Sequence, residues 1–263
     1  MAILIRDQYQ GSHWYTSAGE PAHQQFKKSG DGMRPTTIRD ARKYHLIPSV
    51  TQVLGIMDKP GLNSWKVTQA VMATLQWPRL PNESEDAWCK RVIAMSREQV
   101  VQAADLGTEI HDALEKATNG DPYKDELRVY VQPVLDWIQE KEITFVEREK
   151  IVVSKEHGYA GTADVFFRFG NEGRGILDYK TRKTIKGKPV QKYDGQGQQL
   201  AAYAATYWGE RNLKEVLAAN VIISTTEPGR IEVIKHENLE DDFHAFLCCC
   251  DLWRYQKGYD PRG

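Results

Sequence analysis

The stretch GTADVFFRFGNEGRGILDYKT, residues 161–181, decides how the chain folds. Two runs with the alternation of a strand, Val165–Phe169 and Gly175–Tyr179, flank a turn at Gly170-Asn171-Glu172-Gly173. Each run carries a carboxylate, Asp164 or Asp178, among apolar neighbours. Asp178 and Lys180 stand two apart on a strand, so both project from one face and Tyr179 from the other. A hairpin would bring Asp164 near the neighbouring strand, where two partly buried carboxylates repel unless a cation lies between them. A divalent metal resolves the conflict. Hard oxygen ligands with few histidines suit Mg²⁺ or Mn²⁺, which polarises a phosphoryl oxygen and activates a water, with Lys180 orienting that water or stabilising the developing charge. Spacing alone leaves a second reading open: Asp164 and Lys180 as a structural ion pair, with Asp178 capping a turn.

Outward from this hairpin, Ile143–Ser154, Val216–Ser224 and Arg230–Lys235 also alternate as strands. Gln196–Trp208 reads as a small-residue helix and Asp241–Gln256 as a closing helix. Before the strands, helical patterning covers Asn63–Trp77, stopped by Pro78. It resumes from a Ser84 cap to Asn119-Gly120, then over Asp125–Glu140, where Pro133 predicts a kink or break. The order of helices, three strands, helix, two strands and helix predicts an α/β fold with a mixed central sheet and helices on its faces. Residues 1–48 show no sustained period and read as an irregular arm with room for one hairpin. Residues 49–141 form a helical region packed on a core of residues 142–263, the two making one compact unit.

A chain of 263 residues, 41% hydrophobic and 10% aromatic, can bury one large core, or one core with a small subdomain. No apolar run approaches the roughly 20 residues of a spanning helix, and MAILIRDQYQ has too short an apolar stretch for a signal peptide. A soluble, cytoplasmic protein with no membrane partner is expected. Cys89 stands alone, and the consecutive Cys248, Cys249 and Cys250 would point three ways from a helix, a poor metal cage, so free thiols in a reducing compartment are expected. The net charge of −1 offers no global attraction to nucleic acid. Locally, Lys180, Arg182, Lys183, Lys186, Lys188 and Lys192 follow one another with no acid between; standing alone, the run would read as a solvated loop.

Two further segments bear on the acids. In GTEIHDALEK, Gly107, His111 and Glu115 are four apart and line one helix face, with Thr108 beside them. A lone helical histidine is usually a satisfied surface or core group, but the glycine one turn earlier suggests close approach by another backbone or a substrate. In GQGQQLAAYAATYW, Gln199 and Tyr203 are four apart; alone they would be helix-packing residues, and after Asp178 and Lys180 they read as a second wall.

Taken together, GTEIH with Glu115, GTAD at 161–164, DYK at 178–180 and QLAAY at 199–203 resemble the PD-(D/E)XK nuclease superfamily, in its RecB-like exonuclease branch. The resemblance spans residues 107–203 and implies a restriction-endonuclease-like mixed sheet flanked by helices. It implies that Asp164 and Asp178 bind a catalytic Mg²⁺ or Mn²⁺, with His111 and the backbone carbonyl of Tyr179 as further ligands. It further implies that Lys180 is catalytic and that Gln199 and Tyr203 shape the site and contact DNA. Thr108, Arg182, Lys183, Lys186, Lys188 and Lys192 would lie along the DNA. Glu115 and Glu147 are further candidates, Glu147 reading equally as half of a structural ion pair. Ala163 stands where the family name has proline, a variable position in this branch, and the cysteine cluster that holds an iron–sulfur cluster in some relatives is absent.

The upstream IPSVTQVLGIMDKPGLNSWK, residues 47–66, is more loosely similar to phage exonucleases and the mitochondrial genome maintenance exonuclease, which degrade single-stranded DNA. In such relatives the preceding helices form a wall or arch over the active site. Here that role falls to residues 63–119, with Trp65 and Lys66 as strand contacts, Trp65 being otherwise a core aromatic. The implied function is a metal-dependent exonuclease acting on single-stranded DNA ends in phage or bacterial replication, recombination or repair, with a single-strand-binding or recombination protein as partner. A structure-specific endonuclease on the same core and a non-catalytic nucleic-acid-binding recombination partner are the alternatives.

Overall fold

The computed structural model describes residues 13–170 and 172–262, with the side chains of residues 97–104 set aside. Five strands form the central sheet in sequence order: β5 (Thr144–Ser154), β6 (Tyr159–Phe169), β7 (Gly173–Arg182), β8 (Val216–Ser224) and β9 (Ile231–His236). The first three make an antiparallel meander, and β9 returns antiparallel on β8. Between β7 and β8 the chain crosses over through α6 (Gln196–Trp208), so those two strands are parallel and the sheet is mixed.

Alternation along β6 and β7 divides the core in two. Val165, Phe167, Leu177 and Tyr179 face Ile110 and Leu114 of α4 (Glu85–Asn119) and Val131 and Val134 of α5 (Arg128–Glu140). Phe166 and Ile176 face Leu200 and Ala204 of α6 and Phe246 and Trp253 of α7 (Leu239–Lys257). Helices therefore cover both faces of the sheet.

Local signals explain most boundaries. Ser84 caps α4 by accepting from the Ala87 N–H, and Gly120 ends it in the left-handed conformation at φ 82°. Pro133 does not break α5. It has no N–H to offer the Val129 carbonyl one turn back, and that carbonyl accepts from the Gly229 N–H instead, at 3.1 Å.

Residues 13–48 are more ordered than their lack of period suggests; the first twelve residues of the expected arm lie outside the described residues. Trp14–Tyr15 (β1) pairs with Ile47–Pro48 (β4), and Gln24–Phe26 (β2) forms a hairpin with Met33–Pro35 (β3). Helix α1 (Ile38–Tyr44) follows β3 and α2 (Val50–Leu54) follows β4, and Trp14 is buried against Trp253. Elements of two to seven residues are too short to display a period. Helix α3 (Pro60–Gln76) packs beside α4. Among the described residues no helix is long and apolar enough to cross a membrane.

Gly175 shows how tightly the central hairpin is built. It lies opposite Phe167, and a Cβ there would fall 2.1 Å from the Phe167 ring. Gly175→Ala is expected to cost about 3 kcal/mol, because Phe167 is fully buried and cannot swing aside. Urea unfolding of the two proteins measures it; a loss under about 0.5 kcal/mol would mean the hairpin relaxes freely.

Candidate functional site

The site begins where two strands part. The pairing of β6 with β7 runs from Phe169 opposite Gly173 to Val165 opposite Leu177 and stops, whereas β7 stays paired with β8 to Arg182. Beyond that point the Tyr179 N–H donates to Asp164 Oδ2 at 2.7 Å. A carboxylate has taken the place of a strand, and both acids stand at the fork.

Asp178 is only 3% exposed. Lys180 Nζ lies 2.6 Å from its carboxylate, and Asn220 Nδ2 donates to Oδ2 at 2.7 Å. The ion pair thus joins Lys180 to Asp178, not to Asp164, and Asp178 caps no turn. Burial, then the charge of Asp178, hold the Asp164 carboxyl well above the usual carboxylate range against the opposing pull of Lys180. For Lys180, burial works against the charge, but Asp178 and Asp164 together outweigh it and leave the ammonium raised.

His111 Nε2 lies 2.9 Å from the Tyr179 carbonyl, which can only accept, so Nε2 donates. Burial, then Lys180, lower the His111 pKa and keep the ring neutral. Its Nδ1 is then a lone pair 3.8 Å from Asp164 Oδ2. Two acceptors facing each other need a proton or a cation between them. Gly107 makes this approach possible, since a Cβ there would lie 2.8 Å from Thr181 Oγ1. The close neighbour that its glycine implied is therefore β7 itself.

On the face of β7 that carries Asp178 and Lys180 and is covered by α6, Gln199 lies beside the Tyr203 hydroxyl. Tyr203 is buried with its ring against Gly161, where a Cβ would fall 2.7 Å from it. Of the pair, Gln199 is only half-buried, while Tyr203 offers no surface to DNA.

Glu147 lies outside the site, pairing with Lys150 at 3.1 Å. Its place is taken by Glu149, which the sequence reading missed. Glu149 lines one cleft with His111, Glu115, Arg148, Asp164 and Tyr179. An extra residue lies earlier in β5, where Val146 is skipped between Phe145 opposite Phe167 and Glu147 opposite Phe166, but it shifts Glu147 and Glu149 alike; what sets Glu149 apart is its left-handed backbone at φ 43°. A non-glycine residue held in that conformation costs of order 1–3 kcal/mol and persists where surroundings fix it. Burial, then Glu115, Asp178 and Asp112, raise the Glu149 pKa. The Glu147-x-Glu149 doublet was the one available signal.

Lys183, Lys186, Lys188 and Lys192 are exposed on a loop tied to the β8–β9 turn and to β9 itself. The ties are Thr184 N–H to Thr226 Oγ1 at 2.8 Å and Val190 N–H to Glu232 Oε2 at 2.8 Å. Arg182 differs from these lysines: its guanidinium stacks 3.5 Å from the Tyr193 ring centre and donates to the Gln191 carbonyl at 2.7 Å, anchoring the loop. Thr108 is exposed on α4, and Trp65 and Lys66 are exposed on α3, so Trp65 is not a core aromatic.

Among the described residues, the three metal-competent side chains whose ligand atoms all lie within 4.8 Å are Glu156, His157 and Glu210, outside the fork. At the fork, Lys180 already sits beside Asp178. The cysteines are free thiols, with Cys250 buried and its thiol pushed up to about 12 by burial.

No family model matches the chain, and no curated protein matches it. Sixteen solved chains do. One is the crystal structure of SSO0001, 15% identical over 77% of this chain and 89% of that one at a TM-score of 0.34, too loose to carry an argument.

Proposed function

We propose that the chain is a metal-dependent deoxyribonuclease of the RecB-like PD-(D/E)XK class, acting as an exonuclease on single-stranded DNA ends. The observation that carries the reading is the fork. A buried carboxylate, a half-buried one, a backbone carbonyl and a neutral imidazole converge there, and Asp164 and His111 turn acceptors toward each other at 3.8 Å.

That donor set fits Mg²⁺ or Mn²⁺. Asp164, Asp178, the Tyr179 carbonyl and His111 would hold the ion, which would polarise a phosphodiester oxygen and lower the pKa of a bound water. Lys180, charged and paired with Asp178, stabilises negative charge developing on the phosphate. Glu149, on the cleft wall with a raised pKa, is placed to take a proton from the attacking water. Lys183, Lys186, Lys188 and Lys192 draw the backbone toward the fork without a cationic whole surface. Helices α3 and α4 are the wall past which a strand would run.

The test is digestion of end-labelled linear single strands with Mg²⁺, Mn²⁺ or EDTA, beside a circular single strand and a linear duplex, for wild type and Asp178→Ala. Metal-dependent loss of the linear strand by the wild type alone supports the reading. Cleavage of the circle would make the protein an endonuclease, and metal-independent binding without cleavage a recombination partner.

Trp65, 43% exposed, is assigned to base stacking. Trp65→Ala is expected to leave the melting temperature unchanged and to weaken single-strand binding by about 1–3 kcal/mol. Fluorescence anisotropy with oligo-dT checks it. A melting point lowered with affinity intact would return Trp65 to a packing role.

A further inference from the structure

One buried polar pair has no part in the scheme above. Strand β8 reads VLAANVIIS, and in its middle Asn220 is fully buried among apolar residues. Its neighbour on β9, His236, is 3% exposed. Burying two polar side chains costs free energy unless each is hydrogen-bonded, so their partners matter.

Asn220 lies beside Asp178 in the parallel register of β7 and β8. The Asp178 carboxylate next to Lys180 accepts only, so the Asn220 atom 2.7 Å from Oδ2 is the amide nitrogen. Asn220 Oδ1 must then face the other way, where it lies 2.7 Å from His236 Nε2. That oxygen also accepts only, so Nε2 carries a hydrogen. Nδ1 of the same ring is buried with no hydrogen-bond partner, and a proton there would be left unsatisfied. The ring is therefore neutral, protonated on Nε2, and burial agrees by pushing its pKa down to about 4.

Resting on the nuclease reading, we propose that Asn220 and His236 are positioning residues for Asp178. His236 fixes which way the Asn220 amide points, and the amide, holding Oδ2 at 2.7 Å, fixes the orientation in which the carboxylate, with Lys180 against both its oxygens, faces the cation. Without His236 the amide can turn over, setting its oxygen against the carboxylate.

Substitution of His236 by Leu or Gln separates this from a packing role. Glutamine can still donate to Asn220 Oδ1; leucine cannot. Mn²⁺ binding, read by water-proton relaxation with Asp178→Ala as the site control, is expected to weaken about 10–100-fold in His236→Leu and to recover in His236→Gln. Single-strand cleavage should follow the same order. Equal Mn²⁺ affinity in a folded His236→Leu, or a His236→Gln no better than Leu, overturns the proposal. If His236→Leu does not fold, Asn220→Ala serves in its place, with the same loss expected and unchanged affinity decisive against. Nitrogen-15 NMR of the wild type needs no metal: a neutral Nε2–H ring is required, and an Nδ1–H tautomer or an imidazolium at pH 7 refutes the relay. A wild type that neither binds Mn²⁺ through Asp178 nor cleaves DNA would end the nuclease reading, while the tautomer would still decide the relay.

Discussion

Asp164→Asn is expected to lower single-strand cleavage by about 10³-fold or more, around 4 kcal/mol of transition-state stabilisation, while making the metal-free protein more stable at neutral pH. The two effects share one cause. Asp164 is half-buried close to Asp178, and its carboxyl is raised well above its unfolded value. A raised carboxyl means that the folded state binds the proton more tightly than the unfolded one. Stability is then lost as pH rises from the unfolded pKa, near 3.9, through the raised folded value, and stays low above it. Asparagine removes that charge, and its oxygen can still accept the Tyr179 N–H. The melting temperature at pH 7.5 should rise, about 2–4 °C for each kcal/mol of repulsion removed, and its decline from pH 5 to 7.5 should flatten. Mn²⁺ should raise the melting point of the wild type and not of the variant. Thermal scans at several pH values read all three, and a variant as active as wild type would sink the metal-site assignment.

Lys180→Met should act in the opposite sense on stability. Removing the ammonium takes away electrostatic stabilisation of the transition state, for a loss of about 10²–10³-fold in turnover. It also strands Asp178 and Asp164 without a cation. Breaking a buried pair costs several kcal/mol, but the Lys180 side chain is 35% exposed, so solvent reduces the cost to about 1–3 kcal/mol. The lysine pKa is raised on folding, so this contribution is fully present below its unfolded value near 10.4 and lost only as pH rises through the folded one. The deficit should therefore hold throughout pH 6–9. Saturating Mn²⁺ should narrow the gap to wild type, because the ion supplies the missing positive charge. An equal deficit with and without Mn²⁺ would show that the lysine's role is packing and not charge.

Chemistry carried by neighbours in the chain was legible before any coordinates. Asp178 and Lys180 share a strand face because side chains alternate, and Gly107 sits one turn before His111 because a helix repeats every 3.6 residues. The central strands, the long helices, the Ser84 cap and the crossover through α6 follow from such short-range rules, and with them the mixed sheet. Partners distant in the chain were not legible. Tyr179 gives its N–H to Asp164 only because β6 and β7 part after Val165 and Leu177. Glu149 and not Glu147 lines the cleft although the two share a parity on β5; the left-handed turn of the backbone at Glu149 distinguishes them, and an alternating pattern carries no mark of it. Arg182 looked like one more cation of the loop until Tyr193 was found under it. Asn220 and His236 are one polar residue in an apolar strand and one at a strand end; only the register of β7, β8 and β9 makes them partners of Asp178. Periodicity along the chain determined the elements and nominated the acids, because backbone geometry is local. Which polar groups meet, which proton each carries and which charge is left wanting a cation were decided by strand register and burial, which belong to the folded molecule alone.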